Sequence, residues 1–163
     1  GALGHLSGAL FNASAGIKTV HIPYKGAGPS IVDLVAGHVE FSFVSIPAIA
    51  GHLQSKRLRM IAQCGDKRFV SFPDVPTMVE SGVKDFVVTS PFSYLGPAGI
   101  PAPVVKRLND ALRASLTDPK NNQSLIDSGA QPVGNAPAEH AAVIKTEIAK
   151  WKRVATAAGL KPM

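Results

Sequence analysis

The segment "KTVHIPYKGAGPSIVDLVAG", residues 18–37, predicts a complete strand–turn–helix unit. The β-branched and apolar residues in its first third predict a short strand. Gly26 and Gly28 then predict a tight turn, and Pro29 is typical of the first turn of a helix. The apolar residues that follow share one helical face, and Gly37 predicts the end of that helix.

The same alternation continues on both sides of this unit. Strands are predicted at 18–24, 39–46 and 58–64, and helices at 4–14 (ending at Gly16), from Pro29 to Gly37, and at 47–57. Strands that alternate with helices of this length are typical of parallel βαβ units. The predicted fold class is therefore α/β, with a sheet covered on both faces.

The second half of the chain has a different pattern. Residues 72–83 predict a proline-punctuated loop with a short helix, and residues 85–95 predict an extended crossover strand. Three amphipathic helices follow, at 103–116, 121–129 and 137–159. The apolar faces of such helices must pack against a sheet, and the single strand predicted in this half of the chain is not enough to form one. The chain also starts without a Met or the basic region of a signal peptide, so we expect a truncated two-lobed protein.

Composition narrows the classes of function. The formal net charge is +6, which suits an anionic partner, but the seventeen Lys and Arg residues are scattered and aromatic residues make up only 6%. Nucleic-acid binding is therefore not expected. The single cysteine, Cys64, excludes an internal disulfide and a cysteine-based zinc site, and no apolar run is long enough to cross a membrane.

The turn at residues 24–28 resembles a phosphate loop but fails its spacing. Lys25 precedes both glycines, whereas a Walker loop needs lysine after the second glycine. Gly26 and Gly28 give G-x-G, but Ile31 occupies the place of the third glycine of a dinucleotide fingerprint. Two interpretations stay open: the backbone N–H groups at the helix start hold an anion such as a carboxylate, or the segment is a structural turn.

No constellation of catalytic residues is present in the sequence. The motifs H-E-x-x-H and G-x-S-x-G do not occur, and "HVE" at 38–40 has no P-C-x-x-C partner. His21 is expected in the core or on a sheet face, His5 is a candidate for facing a cleft, and Asp33 is expected to be a solvated charge. We predict no catalytic residue, no metal and no cofactor; a small α/β enzyme or a nucleotide-binding or nucleic-acid-binding domain remains the alternative.

Several motifs together resemble one family. "VHIPYKGAGPSIVDLVAGHVEFSFVSIPAIAGHL", "FPDVPTMVESG", "GPAGIPAPVVKRLN" and "TEIAKWKRVATAAGLKP" resemble the Bug-type receptors of tripartite tricarboxylate transporters along the whole chain. The resemblance implies a periplasmic-binding-protein fold of type II. It implies that residues 1–88 are the second, ligand-binding lobe, and that 89–163 are a crossover strand and the C-terminal helices of an incomplete first lobe.

The resemblance also implies ligand-binding residues in three places. The Y-K-G-x-x-P turn corresponds to Tyr24, Lys25, Gly26, Ala27 and Gly28 before Pro29. The tail of a G-x-G-S-x-x-H-L loop corresponds to Gly1, Ala2, His5 and Leu6, with Ala2 where the family has a ligand-facing serine. The family's F-D-N-x-P segment corresponds to Phe43, Val44, Ser45, Ile46 and Pro47.

The last of these departures predicts the class of ligand. An Asp in F-D-N-x-P can pair with an amino group in receptors for amino acids, and this chain has Val44 there. An unpaired ammonium group is costly in a closed cleft. We therefore expect an organic carboxylate that is not an amino acid, with Ser45 as a polar contact.

Partners and location follow from the same resemblance. It implies a periplasmic receptor without catalysis that delivers its ligand to the membrane subunits of a transporter. The apolar helix faces without a sheet predict a homodimer, including one formed by exchange of a strand or helix between copies.

Overall fold

The computed structural model describes residues 2–160, and within them the chain forms six helices joined by long irregular segments. The helices are α1 (Leu3–Ala15), α2 (Ala27–Ala36), α3 (Ile46–Gln54), α4 (Ala102–Thr117), α5 (Pro119–Asp127) and α6 (Pro137–Ala157). Each coincides with a helix predicted from apolar periodicity, so those six predictions are confirmed.

Glycine ends the helices where the sequence predicts it. Gly16 after α1 has φ 66° and ψ 29°, and Gly37 after α2 has φ 78° and ψ 15°. This left-handed conformation lets the backbone N–H groups turn back to the last carbonyls of the helix, and a side chain would be strained there. Both glycines therefore set the length of the helix before them.

The start of α5 differs from the prediction by two residues. The Asn121 N–H donates to the Asp118 carboxylate at 3.0 Å, and Pro119 occupies the first helical position. Asp followed by Pro is a strong helix start. The helix therefore begins at Pro119, ahead of the apolar residues from which residue 121 was predicted.

The predicted strands are wrong as hydrogen-bonded elements. Within residues 2–160 the segments 18–24, 39–46, 58–64 and 85–95 form no ladder, and one isolated parallel bridge joins Gln63 to Thr77. The predicted short helix inside 72–83 is also wrong, because that segment forms turns.

Two observations explain the missing ladders. A strand needs repeated backbone pairs, and between 58–64 and 85–95 only the Val88 N–H donates to the Cys64 carbonyl, at 2.6 Å. In the segment 18–24 the side chain of Val20 is 86% exposed, so no neighbour covers it. Alternation of apolar residues predicts which side chains can face a core, but it does not show whether a neighbouring backbone comes within hydrogen-bonding distance.

The core lies where these segments meet α1. Phe86 is fully buried, and Met78 and Val88 are buried beside it. The Phe43 ring lies 5.5 Å from the Phe86 ring, and the Phe11 ring of α1 lies 5.8 Å from Phe43, edge to face. Such aromatic pairs add about 0.5–1.5 kcal/mol each to the burial of their surface. This cluster fixes α1 against the segments 39–46 and 85–95.

Helix α6 packs on the first half of the chain. It contacts α1, and Trp151 packs against the core cluster. Lys150 Nζ donates to the Val87 carbonyl at 2.6 Å. The division into lobes at residues 88 and 89 stays a prediction, but α6 clearly finds part of its support in the predicted second lobe.

The molecule exposes more surface than a compact chain of its mass. Its accessible surface is 11646 Å² for 17.0 kDa, whereas a compact monomer of that mass exposes about 7,700 Å². Apolar side chains account for part of the excess, with Phe92, Tyr94 and Leu95 each more than three-quarters exposed. The segment around these residues and the outer face of α4 therefore lack a covering element.

Candidate functional site

Helices α1, α2 and α3 begin without a cap from their own side chains. The N-cap residues are Ala2, Gly26 and Ser45, and none of the three first turns contains an acidic residue. In α5, by contrast, Asp118 caps the helix start, and in α6 Glu139 Oε2 accepts from the Ala136 N–H at 2.9 Å. Helix α4 is also uncapped, but it begins after Pro101, outside the segments predicted to bind the ligand. The first N–H groups of α1 and α2 can therefore bind an external acceptor. In α3 only the Ile46 N–H is available, because Pro47 has no N–H and the Ala48 N–H donates to the Ser45 carbonyl at 3.1 Å.

Two contacts bring the segments before these helices together around the start of α1. The His5 ring, in the first turn of α1, stacks on the His21 ring with centroids 3.8 Å apart and planes at 4°. A methyl group added to Gly4 would lie 3.2 Å from the carbonyl oxygen of Phe43. The first turn of α1 thus lies against the segment that leads to α2 and against the one that leads to α3.

His21 is a residue of this region that sequence reasoning missed. It was expected in the core or on a sheet face, but it is exposed, and it stacks on His5. Burial lowers the pKa of His5, and the positive charge of a protonated His21 lowers it further. No sequence signal places residues sixteen apart in contact. The pairing depends on how α1 packs.

The turn before α2 depends on the backbone of Gly26. Gly26 has φ 124° and ψ 177°, a conformation that residues with a Cβ rarely adopt. Ala27 begins α2, and both Ala27 and Gly28 are exposed. Lys25 is exposed as well and makes no ion pair within residues 2–160. The structure therefore presents the turn as a glycine-dependent helix start with a free cation beside it.

Tyr24 is not a free hydrogen-bond donor. Its hydroxyl donates to Asp33 Oδ2 at 2.8 Å, and His38 Nδ1 lies 3.2 Å from Asp33 Oδ1. The bond to Asp33 raises the pKa of Tyr24, and the bonds from Tyr24 and His38 lower the pKa of Asp33. The expectation that Asp33 is merely a solvated charge is wrong, because the residue joins the start of the turn to the body of α2.

The other predicted residues differ in how far the structure describes them. Ser45 is half-buried at the N-cap of α3, and its hydroxyl makes no hydrogen bond within the described part of the chain. Ala2 is exposed at the N-cap of α1. Gly1 lies outside the described residues. The assignment of these residues as ligand contacts stays a prediction.

Other kinds of site find no support in the described residues. Within residues 2–160 no three His, Cys, Asp or Glu side chains lie close enough to hold a metal ion together. Burial raises the pKa of the Cys64 thiol to about 11, which keeps it protonated and unreactive at neutral pH. Among the described helices none has the length and apolar character needed to cross a membrane.

Comparison with solved structures identifies the class of protein to which this fold belongs. The structure matches R. palustris Rpa4515, solved with adipate, with a TM-score of 0.91 and 33% identity, over 100% of this chain and 55% of that one. It also matches the periplasmic binding protein BugD with a TM-score of 0.81 and 30% identity, over 99% of this chain and 55% of that one. The fold is therefore part of a periplasmic binding protein, as the sequence predicted.

The sequence comparisons then define the family. The family model "Tripartite tricarboxylate transporter family receptor" matches residues 1–160. Protein BugT of Bordetella pertussis is 34% identical over 161 residues, which are 99% of this chain and 49% of that protein. The chain belongs to the tripartite tricarboxylate transporter receptor family, and it spans about half the length of the curated relatives it matches, BugT among them.

Proposed function

We propose that these residues form the carboxylate-binding part of an extracytoplasmic solute receptor that serves a tripartite tricarboxylate transporter. The observation that carries the proposal is a set of three uncapped helix starts in the segments that match the receptor family, with the first turn of α1 packed against the segments that lead to α2 and α3. Their N-cap residues are Ala2, Gly26 and Ser45. The family match over residues 1–160 supports a receptor rather than an enzyme.

The chemistry of three helix starts suits a carboxylate. The N–H groups of a helix start carry partial positive charge, and each start favours an anion by about 0.3–1 kcal/mol at an exposed position. A carboxylate can accept several N–H bonds at once on its two oxygens. Lys25 adds a full positive charge near the start of α2. Closure of the first lobe over the ligand would remove water and strengthen each of these contacts.

We further propose that the ligand carries no amino group. The segment Phe43–Pro47 leads into α3 and contains no carboxylate that could pair with an ammonium group. Adipate, the ligand of the similar R. palustris protein, is a dicarboxylate without an amino group. Val44 occupies the position where an amino-acid receptor has its carboxylate, and the neighbouring Ser45 offers only a neutral hydroxyl.

A thermal-shift screen tests this proposal. The full gene product that contains these residues is heated with adipate, succinate, benzoate, glutamate or aspartate, and a ligand that binds the folded state raises Tm. We expect stabilisation by at least one of the first three compounds and none by the amino acids. Stabilisation by glutamate or aspartate alone would refute the exclusion of amino acids.

The location and the membrane partners are part of the same proposal. A receptor of this class works outside the cytoplasmic membrane and passes its ligand to membrane subunits. Cell fractionation of the native organism should place the full gene product in the periplasmic fraction. Recovery with the cytoplasmic marker enzymes would argue against it.

We also propose that the 163-residue chain, produced by itself, forms a homodimer. Val104 and Leu108 on α4 are apolar and about half exposed, and Phe92, Tyr94 and Leu95 are largely exposed. The surface in excess of a compact monomer amounts to roughly 4,000 Å², which is enough for one side of an obligate interface. Exchange of a strand or helix between copies is one way to cover it.

Light scattering on a sizing column tests the homodimer. We expect about twice the mass of 17.0 kDa. Leu108→Lys should shift the equilibrium toward monomer, whereas Arg107→Lys on the same helix should not. A monodisperse monomer at micromolar concentration would contradict the proposal.

A further inference from the structure

The bond between Tyr24 and Asp33 spans the turn before α2. Tyr24 lies directly before the turn residues Lys25–Gly28, and Asp33 lies in the second turn of the helix that follows them. The Tyr24 hydroxyl reaches Asp33 Oδ2 at 2.8 Å. This contact therefore closes a ring of ten residues with the exposed N–H groups of the turn inside it.

The turn benefits from such a closure because Gly26, which precedes α2, has no side chain to restrict its backbone. Gly26 adopts φ 124°, which residues with a side chain rarely adopt, and the space around its Cβ position is open. A glycine loses more conformational freedom on ordering than any other residue, and a site ordered before binding does not incur that cost when the ligand arrives.

The second oxygen of Asp33 restricts the carboxylate itself. His38 Nδ1, just after the end of α2, lies 3.2 Å from Asp33 Oδ1. With one oxygen bound by Tyr24 and the other by His38, the Asp33 side chain has one favoured orientation. His38 is 70% exposed and Asp33 37% exposed, so the network is at the surface and open to variants that leave the core intact.

We propose that Asp33 is a positioning residue of the carboxylate site, which holds Tyr24 and thereby fixes the N–H groups of residues 25–28 in their binding orientation. This inference rests on the proposed function of the turn. Asp33 itself does not contact the ligand, since a carboxylate would repel one. Its effect on binding passes through the Tyr24 hydroxyl.

The first test detects the bond between Tyr24 and Asp33 in the absence of a ligand. Tyr24 and Tyr94 are the two tyrosines of the chain, so in Tyr94→Phe the tyrosine absorbance change with pH reports on Tyr24 alone. The bond to Asp33 raises the pKa of Tyr24, so we expect Tyr24 to ionise at lower pH once Asp33→Ala removes that bond. Asp66→Asn, a change at an exposed carboxylate without a side-chain hydrogen bond, should leave the curve unchanged. An identical curve with and without the Asp33 charge would overturn the inference.

The second test measures adipate affinity by calorimetry on the full gene product, far below Tm. We expect Asp33→Ala and Tyr24→Phe each to weaken binding about fivefold, which corresponds to one net hydrogen bond. The double variant should be no weaker than either single one, because both remove the same contact. Asp33→Asn keeps an acceptor for the Tyr24 hydroxyl and should stay within about twofold of the wild type.

The outcomes separate this inference from the proposed function. Unchanged affinity in Asp33→Ala, with binding by the wild type intact, overturns the role of Asp33 and leaves the receptor proposal standing. A loss of Tm without a loss of affinity shows a purely structural role and also overturns it. If the wild type binds none of the carboxylates, the receptor proposal fails, and the positioning role fails with it.

Discussion

At the scale of single residues, one buried side chain organises the loop that carries the "PDVPT" motif. Gln63 is 3% exposed. Its Nε2 donates to the carbonyls of Phe72 and Val75 at 2.7 and 2.8 Å, and its Oε1 accepts from the Phe69 N–H at 2.7 Å. The sequence predicts Gln63 in an apolar strand. Its hydrogen bonds to the loop could not be predicted, because all three partners are in a loop whose path depends on the fold.

Replacing Gln63 should therefore destabilise the protein strongly. In Gln63→Leu three backbone groups lose their partner inside the protein, and we expect a loss of about 2–4 kcal/mol in the free energy of unfolding. Gln54→Leu, at the exposed end of α3, is the matched control and should change it by no more than about 0.5 kcal/mol. Urea denaturation of both variants measures the difference. Equal stability of the two would show that the loop does not depend on Gln63.

Glu80 gives the same loop a pH dependence. Its Oε2 accepts from Arg68 Nε at 2.9 Å and from the Thr77 N–H at 2.7 Å, and these bonds lower its pKa below the ordinary value of 4.5. A carboxylate with a lowered pKa in the folded state stabilises that state above its unfolded pKa, and this contribution is lost as the pH falls through the folded value.

We accordingly expect stability to decline below about pH 4.5, in a window that Glu80 shares with Asp33. Glu80→Gln should make the decline between pH 5 and pH 3 shallower and should lower stability at pH 7. Thermal unfolding at a series of pH values measures this. A variant whose Tm runs parallel to the wild type across the window would contradict the assignment to Glu80.

At the scale of elements, replacing the two glycines near the start of α2 by alanine should change the stability of the protein in opposite directions. Gly26 has φ 124°, so Gly26→Ala is strained and should cost about 1–3 kcal/mol of stability. Gly28 lies inside the helix with open space at its Cβ position, so Gly28→Ala should raise stability by up to about 1 kcal/mol. Chemical denaturation distinguishes them. Equal effects would show that the turn tolerates a side chain at position 26.

The Gly28→Ala variant also tests where the ligand binds. If the amides of the turn contact a carboxylate directly, a methyl group at position 28 brings bulk to the site, and Gly28→Ala should bind adipate more weakly although it is more stable. A variant that is stabilised and binds normally would place the ligand away from Gly28.

Helices were predictable from this sequence, and their contacts were not. Gly16 and Gly37 have a local conformational reason to end a helix, and that reason is visible in one residue. The stacking of His5 on His21 and the bond from Tyr24 to Asp33 join residues across turns and between elements. Such contacts depend on packing angles, which spacing along the chain does not encode. The prediction of strands was wrong for a related reason, because strand pairing needs a neighbouring backbone at hydrogen-bonding distance.

At the scale of the whole molecule, the fold holds one small core and a large apolar surface. The aromatic cluster around Phe86 joins α1, α6 and two irregular segments, while the segment Phe92–Leu95 and the outer face of α4 stay exposed. The family fold was recognisable from the combined motifs along the chain, and the comparisons confirm it. Composition and periodicity alone supported only an α/β class, because they do not distinguish a ligand-binding turn from a structural one.

The central claim is that the uncapped starts of α1, α2 and α3 recognise a carboxylate by its charge, and calorimetry with adipate and its uncharged diamide tests it most directly. The two compounds have nearly the same shape, but only adipate offers negative oxygens to the N–H groups at Ala2, Gly26 and Ser45. The account predicts that the full gene product binds adipate or a closely related dicarboxylate and does not measurably bind the corresponding diamide. Equal affinity for a carboxylate and its amide, or no binding of any carboxylate, would contradict it.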